Sequence, residues 1–168
     1  MRAPWRAACV GWLLVVSAGA AQAQGVHPLD TTASPRQQVP ALRVLDESGR
    51  PLGSNPFAQQ AHAYFGRVEY RLATAAFVGQ RARIALVLPA QARGLRRAAG
   101  LLFHWNGLDG TQSGEARPGQ RQVIWSGMVE QAFTTLAIDL GMQLDLSATD
   151  AAGGLVGIEP RFELELLP

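Results

Sequence analysis

Apolar and small or polar residues alternate without interruption from Leu136 to Leu146. All six apolar side chains of this segment that are larger than alanine stand at every second position. A helix would bring apolar residues together at spacings of three and four, whereas a strand uses a spacing of two. The segment therefore predicts a β-strand with one face buried.

The same pattern, in shorter form, recurs along much of the chain. In the tail, for example, Phe162, Leu164 and Leu166 alternate with glutamates. The predicted strands are 41–46, 67–72, 83–88, 101–105, 122–129, 136–146 and 162–166. Many short strands separated by glycine and proline indicate an all-β fold, an antiparallel β-sandwich of immunoglobulin-like or jelly-roll-like type. The one helical candidate is 90–99, which Gly94 weakens.

A signal peptide is predicted at the start of the chain. Arg2 and Arg6 precede an apolar stretch, 7–18, and small residues then lead to an A-x-A pattern that ends at Ala23. This order is typical of a cleaved secretory signal. The apolar stretch is shorter than the roughly 20 residues that a spanning helix needs. We expect export through the Sec pathway, to the periplasm or surface of a Gram-negative bacterium, with no membrane span in the mature chain.

The predicted domain division follows these patterns. Residues 1–23 are the signal peptide, 24–40 an extended arm, and 41–168 a single β-sandwich domain. The arm contains Pro28, Pro35 and Pro40 and shows no apolar periodicity, which is typical of an extended linker.

The composition of the chain without the predicted signal peptide excludes some classes of function. The chain has 168 residues, with 15 basic residues, all of them arginine, and 13 acidic ones. Loss of Arg2 and Arg6 with the signal would leave 13 of each, so we expect no nucleic-acid partner. Cys9 would leave as well, which excludes disulfides and thiol chemistry from the mature chain.

Charge is divided along the chain. Seven arginines and one acid occupy 67–97, whereas seven acids and one arginine occupy 130–165. Two interpretations follow. The two stretches form complementary docking surfaces on different molecules, or they lie on neighbouring strands and neutralise each other. The second is favoured because oppositely charged residues on adjacent strands stabilise a sheet.

Arg93, Arg96 and Arg97 are candidate ligand-binding residues. In a helix over 90–99 they would share one face, and a guanidinium trio suits a phosphate or an anionic polysaccharide. The alternative is a solvated loop.

Trp105 and Trp125 are the second candidate set. With Phe103 and Tyr70 they would form a sugar-stacking platform if exposed, or part of the core if buried.

Signals for catalysis and metal binding are weak. The chain has three histidines without partners at metal-ligand spacing: His27, His62 and His104. Ser126 lacks the glycine that stands two residues before the serine of a nucleophile elbow. The pair Ser126 and Gly127 instead indicates a bulge or bend within a strand. Residues 109–114 match the start of a calcium loop, but Gln120 stands where that loop needs glutamate. We expect no catalytic residue, no metal and no cofactor.

In the segment 118–129 a Pro-Gly turn precedes an aromatic residue, a glycine and a valine. This order is loosely similar to the late strand of some pilins. Together with the signal peptide and a strand-rich body without cysteine, it gives the chain a broad resemblance to subunits of bacterial surface fimbriae and related exported β-sandwich modules. Here the segment lies well before the C-terminus.

These observations predict an exported, non-catalytic protein that acts through protein–protein contact. Such a protein would be a fimbria-like or cell-envelope assembly component. Its partners would be envelope or surface proteins, or further copies of itself. The alternative is a periplasmic or extracellular binding module for an anionic or glycan ligand. A third hypothesis is a hydrolase in which His104 pairs with Asp109 or Asp139.

Overall fold

Nine β-strands, together with short 3-10 turns, make up the secondary structure of the residues that the computed structural model describes: 25–35, 44–150 and 156–168. The strands are β1 Val26–Leu29, β2 Val44–Asp46, β3 Gln60–Ala73, β4 Arg81–Val87, β5 Leu101–Leu108, β6 Gly114–Ala116, β7 Arg121–Met128, β8 Phe133–Asp145 and β9 Arg161–Leu166.

The strands form two antiparallel sheets. One has four strands in the order β1-β9-β4-β7, and the other has five in the order β2-β3-β8-β5-β6. Fully buried side chains of both sheets build one core, with Leu72, Leu136 and Ile138 from the larger sheet and Ile84, Ile124 and Leu164 from the smaller. The prediction of an all-β antiparallel fold is confirmed, and the arrangement is β-sandwich-like.

The alternation at 136–146 has the predicted consequence. Leu136 and Ile138 of β8 are fully buried, and Val68 of β3 lies opposite Ile138 in register and is buried with it. Asp139 and Arg67, the next pair in register, are exposed. A period of two thus puts one row of side chains into the core and the next row into solvent.

The predicted helix at 90–99 is wrong. Gly94 adopts a φ of +76°, which right-handed helices do not use. The backbone of the segment instead forms hydrogen bonds with residues that are distant in sequence. The Arg93 amide donates to the Gly157 carbonyl at 2.8 Å, and the Arg96 amide donates to the Ala148 carbonyl at 2.9 Å. Only Ala98–Gly100 forms a 3-10 turn.

Other boundaries differ from the sequence expectations. Val26–Leu29, inside the predicted arm, pairs with β9. β3 starts at Gln60, seven residues before the predicted strand, and contains a register shift between Tyr64 and Gly66. The predicted signal peptide, 1–23, and residues 36–43 lie outside the described residues. Within the described ranges, no helix has the length and apolar character needed to cross a bilayer.

The two sheets differ in length, and this difference shapes the interior. β3 and β8 have 14 and 13 residues, whereas β4 and β9 have 7 and 6. The main core lies between both sheets, and a second apolar cluster around Leu101 and Leu144 lies where the long strands continue. Phe103 and Ile158 pack against both clusters, so they mark the junction between them.

Candidate functional site

Two of the three candidate arginines, Arg96 and Arg97, form hydrogen bonds with the segment 147–149. Arg96 donates from its guanidinium to the carbonyls of Thr149 and Ser147, at 2.9 and 3.0 Å. Arg97 donates to the Ser147 hydroxyl at 2.8 Å and lies 3.8 Å from the Asp145 carboxylate. Two of the three guanidinium groups are therefore held by the segment that follows β8, which leaves them fewer donors for an external anion.

Arg93 is placed by its backbone rather than by its side chain. Its amide and carbonyl bond to Gly157 at 2.8 and 3.2 Å, so it joins the segment before β9 to the segment after β4. Its side chain is exposed. The trio expected from helical spacing thus becomes three positions along an irregular, strand-like segment.

Trp105 belongs to the core. Its side chain is 2% exposed, and its indole N–H donates to the Gln112 carbonyl at 2.8 Å. A ring buried in this way offers no open face on which a sugar can stack. Trp105 and its hydrogen bond instead fix the loop that connects β5 to β6.

Trp125 lies at the edge of the core on β7. It faces the fully buried Ile84 of β4 in register and packs half-buried against the core. A Cβ at Gly127 would lie 3.0 Å from the indole ring. The bulge in this strand falls at Ile124, because Ile84 pairs with Trp125 and Ala85 pairs with Val123. A bulge or bend was predicted at Ser126 and Gly127, and the structure has a bulge in this strand two residues earlier.

The second half of β7 is an open sheet edge. Val129 donates to the Gln80 carbonyl at 2.9 Å and accepts from the Gly79 amide at 2.8 Å, so its backbone groups point towards β4. Because these directions alternate along a strand, the amides and carbonyls of Ser126 and Met128 point away from the sheet. The first half is covered, since the Gln112 amide donates to the Ile124 carbonyl at 2.7 Å.

Exposed apolar side chains accompany this edge. Met128 is 47% exposed and Val78 is 48% exposed. They are the neighbours in sequence of Val129 and Gly79, the two residues joined by a backbone hydrogen bond. The edge therefore offers both unpaired backbone groups and apolar surface.

The terminal strands at the other sheet edges are shorter than β7, although β2 pairs with only three residues of the long strand β3. β2 and β6 have three residues each, and β1 has four, including Pro28. Short edge strands and proline are ordinary means of preventing strand pairing between molecules. Of the four terminal strands, β7 is the longest, with eight residues, and 125–128 form its open half.

An ion-pair network covers the outer face of the four-stranded sheet. The Arg83 guanidinium on β4 donates twice to the Glu165 carboxylate on β9, and Arg121 on β7 reaches Glu165 and Glu163 at 3.2 and 3.3 Å. The hydrogen bonds from Arg83 hold the pKa of Glu165 below its usual value, and those to Glu165 raise the pKa of Arg83.

The basic and acidic stretches of the sequence thus lie on strands that are neighbours in the fold. β4, from the basic stretch, pairs with β9, from the acidic stretch, and β3 pairs with β8 in the same way. Neighbouring strands bring the two stretches together within one molecule.

The histidines and the calcium-like loop are engaged in other ways. The His104 imidazole lies over Gly141, His62 pairs with Gln143 in register, and His27 contacts the Phe77 ring at 5.0 Å between centroids. Asp109 bonds to Arg67 at 2.8 Å. Within the ranges that the structure describes, no three or more His, Cys, Asp or Glu side chains lie close enough to hold a metal ion.

A cleft in the junction between the two apolar clusters was not predicted from the sequence. It has a volume of about 510 Å³ and is lined by apolar side chains of β3, β5 and β8 and by 156–160. Alternation correctly places Leu140 and Met142 on the inner face of β8. It carries no information on whether the other sheet reaches far enough to cover them.

Comparisons with protein-family models, with curated proteins and with solved structures find no match to this chain. Its function is therefore inferred from the geometry of its own residues.

Proposed function

We propose that this protein is an exported, non-catalytic β-sandwich that acts through protein–protein contact, as a fimbria-like or cell-envelope assembly component. The observation that supports this proposal is the open edge of β7, where Ser126 and Met128 turn their backbone groups away from the sheet. The proposal places the mature protein in the periplasm or at the cell surface, after cleavage of the signal peptide 1–23.

The proposed architecture is a single sandwich domain of immunoglobulin-like or jelly-roll-like type. Two stacked antiparallel sheets with a common core support it. In such a fold the strands at the edges are the natural points of contact, because an extended segment of a partner continues the ladder of backbone hydrogen bonds.

The contact mode is addition of a strand beside residues 125–128. The partner segment would accept from and donate to the backbone of Ser126 and Met128, and its apolar side chains would cover Met128 and Val78. These two side chains are about half exposed, so covering them removes apolar surface from water.

Site-directed crosslinking tests this contact. Cys9 is the only cysteine of the sequence and lies in the predicted signal, so Ser126→Cys would place a single thiol in the mature chain. Asp139→Cys, at an exposed position of β8 that has a paired strand on each side, is the matched control. We expect a thiol-reactive crosslinker, applied to producing cells, to give a discrete adduct from position 126 and none from position 139.

A second substitution separates strand addition from chance proximity. Met128→Lys puts a charge on the edge, which opposes strand pairing, and it leaves the hydrogen bonds to β4 intact because the Met128 backbone points away from β4. The adduct should then disappear while the thermal unfolding of the protein stays the same. An adduct that survives Met128→Lys, or equal adducts from positions 126 and 139, would contradict the proposal.

A further inference from the structure

The cleft between the two apolar clusters exists because the sheets have unequal lengths. Leu136 and Ile138 of β8 lie where the four-stranded sheet covers them, and both are fully buried. Leu140 and Met142 continue the same inner face but are only partly buried. Among the described residues, the inner face of β8 is therefore covered at Leu136 and Ile138, open at Leu140 and Met142, and covered again at Leu144, which is 6% exposed.

The walls of this opening come from segments that are themselves well anchored. Phe103 of β5 is held between β6 and β8. On the opposite side, Ile158 follows Gly157, which is joined to Arg93 by two backbone hydrogen bonds. The cleft is thus built between paired strands and a bonded segment, and its volume of about 510 Å³ falls within the usual range of small-molecule sites.

The polar groups of the cleft restrict what can occupy it. Tyr70 contributes a phenol whose ring packs on Phe162 at 4.7 Å, and burial raises its pKa, so the group stays neutral at physiological pH. Among the described residues that line the cleft, Glu159 carries the one charged side chain, and it is exposed. A ligand with a negative charge would meet this carboxylate, and none of the described lining residues supplies a cation to offset it.

We propose that the cleft is a binding site for an uncharged apolar small molecule, such as an aromatic or alkyl compound without an acidic group. The apolar body of the ligand lies on Leu140, Met142 and Phe103, and the Tyr70 hydroxyl offers one hydrogen bond. Glu159 selects against anionic amphiphiles, fatty acids among them. This site is separate from the open edge of β7 and does not depend on the proposed contact function.

Two fluorescent probes with the same ring system test both parts of the proposal. N-phenyl-1-naphthylamine is uncharged, and 8-anilino-1-naphthalenesulfonate carries a sulfonate. We expect saturable binding of the uncharged probe to the purified protein, and binding of the sulfonate about fivefold weaker, the size expected of one repulsive contact near solvent. In Glu159→Gln the affinities for the two probes should become nearly equal.

A matched pair of substitutions locates the site. Met142→Trp fills the cleft and should weaken binding of the uncharged probe at least tenfold. Met128→Trp makes the same change at the edge of β7 and should leave affinity within twofold. Glu159 lies in an exposed segment, so Glu159→Gln keeps the proposal testable even if Met142→Trp fails to fold.

Three results would overturn the inference. They are absence of saturable binding of the uncharged probe, unchanged affinity in a folded Met142→Trp protein, and a sulfonate affinity that equals or exceeds that of the uncharged probe in the native protein. A probe ratio that Glu159→Gln leaves unaltered would also remove the role assigned to Glu159.

Discussion

Arg83 on β4 and Glu165 on β9 form a two-pronged ion pair between residues 82 positions apart in the chain, with a distance of 3.0 Å from the guanidinium Nε to one carboxylate oxygen. Glu165 is the more buried partner, with 14% of its side chain exposed against 41% for Arg83. The pair joins the basic and acidic stretches of the sequence at one point of the sheet.

The first prediction concerns the energy of this pair. Arg83→Met and Glu165→Gln should each lower the unfolding temperature, and the double variant should lose less than the sum of the two, because each single change leaves one partner without its counterpart. Thermal unfolding at low salt measures the coupling. In about 1 M salt, where charges are screened over about 3 Å, the coupling should shrink; strictly additive effects at low salt would show that the pair contributes nothing.

The second prediction is acid sensitivity centred on Asp46. This carboxylate is 2% exposed and accepts from the Ser48 hydroxyl at 2.7 Å, from the Asn55 amide at 2.7 Å and from the amides of Ser48 and Arg50 at 2.9 Å. The hydrogen bond from the Ser48 hydroxyl contributes most to holding its pKa well below the usual value. A lowered folded-state pKa stabilises the fold above the unfolded pKa of about 3.9 and loses that contribution as pH falls below it.

Asp46→Asn tests this dependence. The variant should be less stable than the native protein near neutral pH, and the difference should decrease as pH is lowered through about 4. Urea unfolding at a series of pH values gives the comparison. A difference that stays constant from pH 6 to pH 3 would show that the carboxylate is not the source.

The third prediction distinguishes the two tryptophans. Trp105→Ala should cost about 3–5 kcal/mol, as expected for a large aromatic residue removed from a core, and it also leaves the Gln112 carbonyl without its donor. Trp125→Ala should cost less because that ring is already half exposed. Guanidinium unfolding measures both, and equal losses would contradict the assignment of Trp105 to the core.

The fourth prediction uses two glycines that differ in what lies above them. A Cβ at Gly107 would overlap the backbone carbonyl of Thr111, and a Cβ at Gly141 would overlap the His104 imidazole. Gly141→Ala should cost about 1–3 kcal/mol and Gly107→Ala more, since a side chain moves more easily than backbone.

His104→Ala is the control for the Gly141 substitution. Added to Gly141→Ala, it should restore most of the lost stability because it removes the overlapping ring. Added to Gly107→Ala, it should restore none. Unfolding midpoints that show rescue in both backgrounds, or in neither, would contradict the contacts described for these glycines.

Strand positions with a period of two were predictable from the sequence. Each of the seven predicted strands overlaps a strand of the structure, and β8 matches to within three residues at either end. β1 and β6 escaped prediction because strands of four and three residues are too short to show alternation. The helix expected at 90–99 was wrong because the spacing of its arginines carries no information about the hydrogen bonds that Gly157 and Ala148 form with the backbone of this segment.

The candidate sites were far less predictable. Trp105 and Trp125 lie in similar strand contexts, yet one is sealed in the core and the other lies at an open edge. That difference depends on β6 and the loop at Gln112, which cover the first half of β7 and stop before the second half. The cleft beside Met142 depends in the same way on the length of strands that are distant in sequence.

By itself, the sequence determined which side chains face inward, since the alternation of polar and apolar residues along an extended chain leaves one buried face per strand. Tertiary structure alone decided which strands became neighbours, because pairing depends on contacts between segments up to 139 residues apart, such as Val26 and Glu165. It also decided where the pairing ends. The open edge at Ser126, the joining of Arg83 to Glu165 and the uncovered face at Met142 are properties of the packed sheets, and no local pattern encodes them.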